Sequence, residues 1–195
     1  MVLSQMTNFR NEGDSLVNRL IKDVRKSLNH ECYFSALSLA LTLPDICGIA
    51  EFSITHPVAN RYIDWCETYV CEGEGKRVRF DDNIETPYLS GEVIYNLRNT
   101  YLHQGFPNLN KSKIKNEINK IDNFTLILGN AKKLFDVAMN IDIGNGLVNV
   151  RSYFIDVTYL CNLLCDKAEH YFKKNKDKFQ MDYTVLEEKE LFRDK

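Results

Sequence analysis

The chain has 195 residues, 44% hydrophobic and 27% charged, with 9 Gly and 4 Pro, which excludes disordered, collagen-like and proline-rich classes. Twenty-five basic against 27 acidic side chains leave a net charge of −2, so no global positive field marks a nucleic-acid partner and any such binding must use local patches. A chain of this length buries about 70% of its unfolded surface and is expected to hold one core without staples.

In chain order, Asp14-Ser15 offers an N-cap to a first helix whose Leu16, Val17, Leu20, Ile21, Val24 and Leu28 recur three and four apart, to about Asn29. A second helix starts near Glu31 and is apolar on most sides through Leu43, the pattern of a buried central helix. Pro44 ends or kinks it, and Asp45-Ile46-Cys47 restarts a turn or two toward Phe52. His56-Pro57 opens a third helix, expected to bury Val58, Tyr62, Ile63, Trp65, Cys66 and Tyr69. Residues 72–85 are charged and Gly-punctuated and read as an exposed loop. Ser90 precedes a fourth helix, SGEVIYNLRNTYLHQ, stopped by Gly105 and Pro107. Residues 108–122 read as solvated.

Phe124–Leu128 and Phe135–Ile141 are candidate strands, the second ending at Gly144-Asn145-Gly146, although Ala131–Met139 also suits a short helix. A long last helix is expected over Val150–Lys174, with Phe154, Val157, Leu160, Leu164, Ala168 and Tyr171 on one stripe, before a charged tail. The fold class is therefore expected to be all-α: a helical bundle of four to five helices with a small β-hairpin insertion before the last long helix. One domain spans 1–195, with its core at about 15–173.

The first fourteen residues carry no apolar run, and Phe34–Leu43, the longest one, stops at Pro44, short of the about 20 residues that a membrane span needs. A soluble, cytoplasmic protein without a membrane partner is expected, with six reduced cysteines. Cys161 and Cys165 lie one turn apart, and Cys66 and Cys71 are the other close pair. His170 turns away from Cys165, and no second ligand pair has zinc spacing, so these read as small buried apolar groups. Neither a metal nor a cofactor is expected, and no P-loop, HExxH or GxGxxG motif is present.

The fourth helix carries the chemistry. At about 100° per residue, with Arg98 at zero, Glu92, Asn96, Asn99 and His103 fall within one polar stripe between about 100° and 160°. Arg98 stands at the edge of the apolar arc, where a guanidinium must snorkel or be paired. Asp45 and Glu51 are its two candidate partners from the kinked second helix; both also read as ordinary turn and surface acids.

The string Arg98-Asn99-Thr100-Tyr101-Leu102-His103 resembles the R-x(4–6)-H motif of the HEPN superfamily, helical domains that are often ribonucleases. Arg25…His30 repeats the bare spacing but has Lys26 where the family carries a polar residue, and His30 lies where its helix ends. The resemblance covers about residues 15–173, though only six residues of it are sharp. A family subgroup has a Tyr two residues after the His; Gly105 stands there in this chain.

The resemblance implies a metal-independent ribonuclease in which His103 is the acid/base, Arg98 clamps phosphate, and Asn99 orients the ring or binds phosphate. Glu92 and Asn96 would support them from behind. It further implies a homodimer whose paired motifs line one cleft, RNA as the partner, and an antitoxin or other regulatory protein where the effector serves toxin–antitoxin or phage-defence systems. The chemistry suits those residue types, because imidazole exchanges protons near neutral pH and the guanidinium fork matches phosphate oxygens. RNA provides its own nucleophile, the 2′-hydroxyl, which DNA lacks.

Two other readings use the same residues. One is a non-catalytic HEPN-like module binding RNA, nucleotide or protein; the other is a helical scaffold in which Arg98 only salt-bridges Asp45 or Glu51. Lys76-Arg77-Arg79, Lys111-Lys113-Lys115, Lys132-Lys133 and the Lys173–Lys178 cluster read as solvated charge. Apolar surface around Tyr95 and Tyr101 is expected to serve a dimer.

Overall fold

A computed structural model describes residues 15–71, 79–81, 84–85, 89–129, 135–142 and 147–179. Asp14, the side chains of Lys76, Arg77, Arg79, Lys132 and Lys133, the 143–146 turn, the start of the alternative helix at Ala131 and the tail beyond Phe179 lie outside the described residues.

Helix α1 spans Leu16–Asn29, and the Ser15 hydroxyl accepts from the Asn18 N–H at 3.2 Å, an ordinary N-cap. The apolar run that follows divides into α2, Tyr33–Ala40, and α3, Leu43–Glu51. Pro44 falls in the first turn of α3, where a missing N–H leaves nothing unpaired, so the proline begins a helix as much as it ends one. Tyr33–Glu51 is apolar enough by length and composition to cross a membrane, yet Leu37, Leu41, Leu43 and Cys47 are fully buried within the bundle.

Helix α4, Val58–Trp65, runs on into a π-helical turn over Cys66–Val70. Tyr62, Trp65 and Cys66 are fully buried as expected, but Val58, at the helix start, is 56% exposed, and Ile63 and Tyr69 are only half-buried. Helix α5 spans Gly91–Gln104 with the Ser90 hydroxyl capping Val93 N–H. It packs so closely on α4 that a Cβ at Gly91 would lie 2.5 Å from the Ile63 carbonyl oxygen. Gly105 adopts φ 68, the left-handed stop the sequence announces, and Gly105 and Phe106 return their N–H groups to the Tyr101 and Thr100 carbonyls.

The last helix, α6, is Val157–Lys174, shorter than expected. Asp156 caps it by accepting from Tyr159 N–H at 2.9 Å, and Val157, Leu160, Leu164, Ala168 and Tyr171 line its buried face. The residues before it are a strand. Phe154 fits the helical stripe by spacing, but it lies in a β-branched and aromatic run, VNVRSYFI, that favours the extended state.

The helical bundle therefore carries more β-structure than a small hairpin. Strand β1, Arg79–Asp81, pairs antiparallel with β2, Ile84–Glu85, within the expected loop. Strands β3 (Asn123–Ile127), β4 (Phe135–Asp142) and β5 (Leu147–Asp156) form a sheet of order β3-β5-β4. The hairpin is β4–β5, not β3–β4. Strand β3 instead runs parallel to β5, with Phe124 opposite Tyr153 and Ile127 opposite Asp156.

Residues 108–122, expected to be solvated, return along α5 and dock on it. Leu109, Ile114 and Ile121 are buried, and hydrogen bonds to α5 fix the segment's path.

Candidate active site at the end of the fifth helix

Four polar side chains converge where the last turns of α5 meet the start of α3. Arg98 and Asp45 form the pair that joins the two helices: Arg98 Nε and Nη2 donate to Asp45 Oδ2 at 3.1 and 2.8 Å. The arginine at the edge of the apolar arc is thus paired, as desolvation requires, and Asp45 rather than Glu51 is the partner. Glu51 lies elsewhere, accepting from Tyr69, Tyr171 and Lys178.

The other terminal nitrogen of Arg98 serves the motif itself. Its Nη1 donates to Asn99 Oδ1 at 3.0 Å and lies 2.9 Å from His103 Nε2. Arginine is only a donor, so in this geometry Nε2 is the accepting atom and the imidazole proton sits on Nδ1. Asn99 therefore reaches His103 only through Arg98. Four of the five guanidinium N–H groups are engaged, and one on Nη2 has no partner among the described residues.

Exposure is graded along this chain of contacts. The Arg98 and Asp45 side chains are 19% and 21% exposed, while His103 stands in solvent. The half-buried base of the cluster is braced by Tyr62, whose hydroxyl donates to the Leu41 carbonyl at 3.0 Å. Burial holds the Tyr62 phenol well above its ordinary value, with Cys66 and Asp45 adding to the shift and Arg98 opposing it. On the other side, Tyr101 donates to the Phe34 carbonyl at 2.9 Å, which ties the end of α5 to α2. Sequence reasoning missed this tie, because nothing local links positions 34 and 101.

Glu92 and Asn96 do not support the cluster. Both are turned to holding the returning segment. Asn96 Nδ2 donates to the Asn110 carbonyl and its Oδ1 accepts from Asn110 N–H, at 2.9 and 2.7 Å. Glu92 accepts from Lys115 N–H, Asn116 N–H and Asn119 Nδ2 at 2.6, 3.3 and 3.0 Å. The polar stripe is continuous on the helix, but its first half is covered and only Asn99 and His103 are left open with Arg98. Tyr95 and Tyr101 are half-buried and pack at a tilt against Tyr62 and Phe34, so they are less open than the sequence suggests.

Comparison with protein-family models, with curated proteins and with solved structures found no match. The second R-x4-H string makes no such cluster: Arg25 Nη2 donates to Asp166 and Glu169 at 2.8 and 2.9 Å, and His30 is the exposed residue closing α1. Among the described residues no group of three or more His, Cys, Asp and Glu side chains could hold a metal ion. Cys161 and Cys165 are buried between helices, and burial pushes the Cys165 thiol up to about 12.

Proposed function

We propose that the protein is a cytoplasmic, metal-independent endoribonuclease of HEPN type, working as a homodimer in which two copies of Arg98 and His103 line one cleft. The observation that carries this reading is the contact between Arg98 Nη1 and His103 Nε2, a guanidinium and an accepting imidazole held at 2.9 Å on an open helix end.

The proposed chemistry follows from those atoms. His103 Nε2 takes the proton of a ribose 2′-hydroxyl; O2′ attacks phosphorus, the P–O5′ bond breaks, and the departing oxygen takes a proton from the same residue of the second copy. Products are a 2′,3′-cyclic phosphate and a 5′-hydroxyl. Once Nε2 is protonated it no longer accepts from Nη1, so that N–H is released toward the phosphorane oxygens just as charge develops there. Asp45 keeps Nε and the first Nη2 proton fixed while this occurs. The anchor makes Asp45 a positioning residue.

RNA cleavage in EDTA tests the reading. Arg98→Ala and His103→Ala should each abolish it, with the helical circular dichroism retained. Unchanged cleavage in both variants would remove the proposal.

A second reading has a specific observation in its favour: Asp45 neutralises Arg98, as befits a module that binds RNA, nucleotide or a protein partner without turnover. RNA binding without turnover by the wild-type protein across the neutral pH range selects it. A role as a toxin or phage-defence effector, with an antitoxin-like partner, belongs to the first reading; induced expression with and without His103 tests it through growth.

A further inference from the structure

The segment that returns along α5 carries three lysines that the cluster does not use. It runs antiparallel to the helix. Thr100 Oγ1 bonds the Asn108 carbonyl, Asn96 bonds Asn110, and Glu92 bonds Lys115 N–H. Ile114, 2% exposed, is its buried pin, and Lys111, Lys113 and Lys115 around it are all exposed.

None of the three has an ion-pair partner among the described residues. The first acid downstream, Glu117, pairs with Lys120 at 2.5 Å. The carboxylate that holds the segment, Glu92, has its oxygens taken by Lys115 N–H, Asn116 N–H and Asn119, not by a lysine ammonium.

The positions matter as much as the charge. Glu92, Asn96, Asn99 and His103 share one strip of α5, so the segment held by the first two lies in line with the last two. Counting about 1.5 Å per residue, Asn96 and Glu92 stand about 10 and 17 Å from His103 along the axis. A strand with one phosphate against Arg98 would carry its neighbouring phosphates over the lysines.

The other basic region compares poorly. An open groove of about 570 Å³ between α1 and α6 is lined by Lys22, Arg25, Lys26, His30 and Lys173, but also by Glu169. There Arg25 is held by Asp166 and Glu169, and Lys173 by Glu169 at 2.7 Å.

We propose that Lys111, Lys113 and Lys115 form a binding ridge for the sugar–phosphate backbone of single-stranded RNA, flanking the Arg98–His103 cluster. The choice of RNA rests on the nuclease reading above; the ridge itself is sequence-independent, because ammonium groups meet phosphates rather than bases.

The test uses a single-stranded DNA oligonucleotide, which presents the same phosphates and resists 2′-hydroxyl chemistry. Its affinity for the full chain is measured by fluorescence anisotropy across a salt series. Each contact contributes about 0.7 to the slope of log affinity against log salt on a single strand, so the triple variant Lys111→Gln/Lys113→Gln/Lys115→Gln should flatten it by about 2. Lys22→Gln/Lys26→Gln, in the other groove, should leave it unchanged.

A slope unaffected by the triple variant, an equal loss in the groove variant, or no binding by wild type would overturn the ridge. Cleavage of a dinucleotide, too short to reach the lysines, reads the catalytic cluster separately. The triple variant should cleave it as wild type does. Absence of that cleavage in wild type removes the nuclease and leaves the ridge to stand or fall on the slope.

Discussion

Replacing Asp45 by Asn keeps its shape and removes the charge that receives two N–H groups of Arg98 at 3.1 and 2.8 Å. Hydrogen bonds to charged groups contribute about 1.5–3 kcal/mol. With the two side chains 19% and 21% exposed, screening brings this pair to the lower end, about 1.5 kcal/mol. Asp45 also stands in the first turn of α3, where a carboxylate adds about 0.5 kcal/mol against the helix dipole. The expected loss is about 2 kcal/mol, and a domain of this size should then melt about 4–8 °C lower. A double-mutant cycle with Asp45→Ala and Arg98→Ala isolates the pair and should give a coupling of about 1–2 kcal/mol from urea unfolding. A coupling below about 0.3 kcal/mol would refute the claim that this pair fastens α5 to α3. Cleavage supplies the second readout. Asp45→Asn should lower it at least about tenfold, because Arg98 loses its anchor. Faster cleavage in Asp45→Asn would show that Asp45 silences the arginine, and the positioning argument would fail.

Three further outcomes concern Glu51, the cysteines and Gly91. Burial pushes the Glu51 carboxyl up, but hydrogen bonds from Lys178, Tyr171 and Tyr69 outweigh it and hold the group below its ordinary 4.5. A depressed carboxylate stabilises the fold above the unfolded value and loses that contribution as pH falls through the folded one. Urea stability should therefore drop more steeply below about pH 4.5 in wild type than in Glu51→Gln, with the fluorescence of Trp65, beside Tyr69 and Tyr171, as reporter; parallel curves would count against it. Of the six cysteines only Cys32 is exposed, and burial raises the Cys47, Cys66, Cys161 and Cys165 thiols. Ellman's reagent should find one fast thiol in the native protein and the other five only after unfolding. Gly91→Ala would set a Cβ 2.5 Å from the Ile63 carbonyl oxygen, a backbone atom that cannot swing aside, and should cost about 1–3 kcal/mol by calorimetry.

Local signals in the sequence were sufficient wherever one residue decides an element. Ser15 and Ser90 cap α1 and α5, and Gly105 stops α5 with a positive φ, all as their chemistry predicts. The departures occur where a neighbour decides. Residues 150–156 fit both periods over a short run, and pairing with β3 and β4 selects the strand. Residues 108–122 look solvated because Asn and Lys outnumber their apolar groups, of which Leu109, Ile114 and Ile121 are buried by their neighbours in the fold. The same dependence on neighbours decides where two of the five candidate site residues face. Arg98, Asn99 and His103 come together, but Glu92 and Asn96 face a segment that no helical wheel can display.

Charge is the property in which sequence and structure differ most usefully. By composition the lysine clusters are interchangeable and the net charge of −2 discourages any polyanion. In the fold they are unequal. Arg25, Lys120, Lys173 and Lys178 each face a carboxylate within 2.9 Å, so an incoming phosphate must compete with a resident anion. Among the described residues Lys111, Lys113 and Lys115 face none, and they stand on a segment already fixed by Asn96, Glu92 and Ile114. Binding there orders three side chains but little backbone, whereas a mobile loop would also lose about 1–2 kcal/mol of backbone entropy per residue. Glu92 and Asn96, outside the Arg98–His103 cluster, thus fasten the segment whose lysines, under the proposed nuclease reading, hold the RNA backbone.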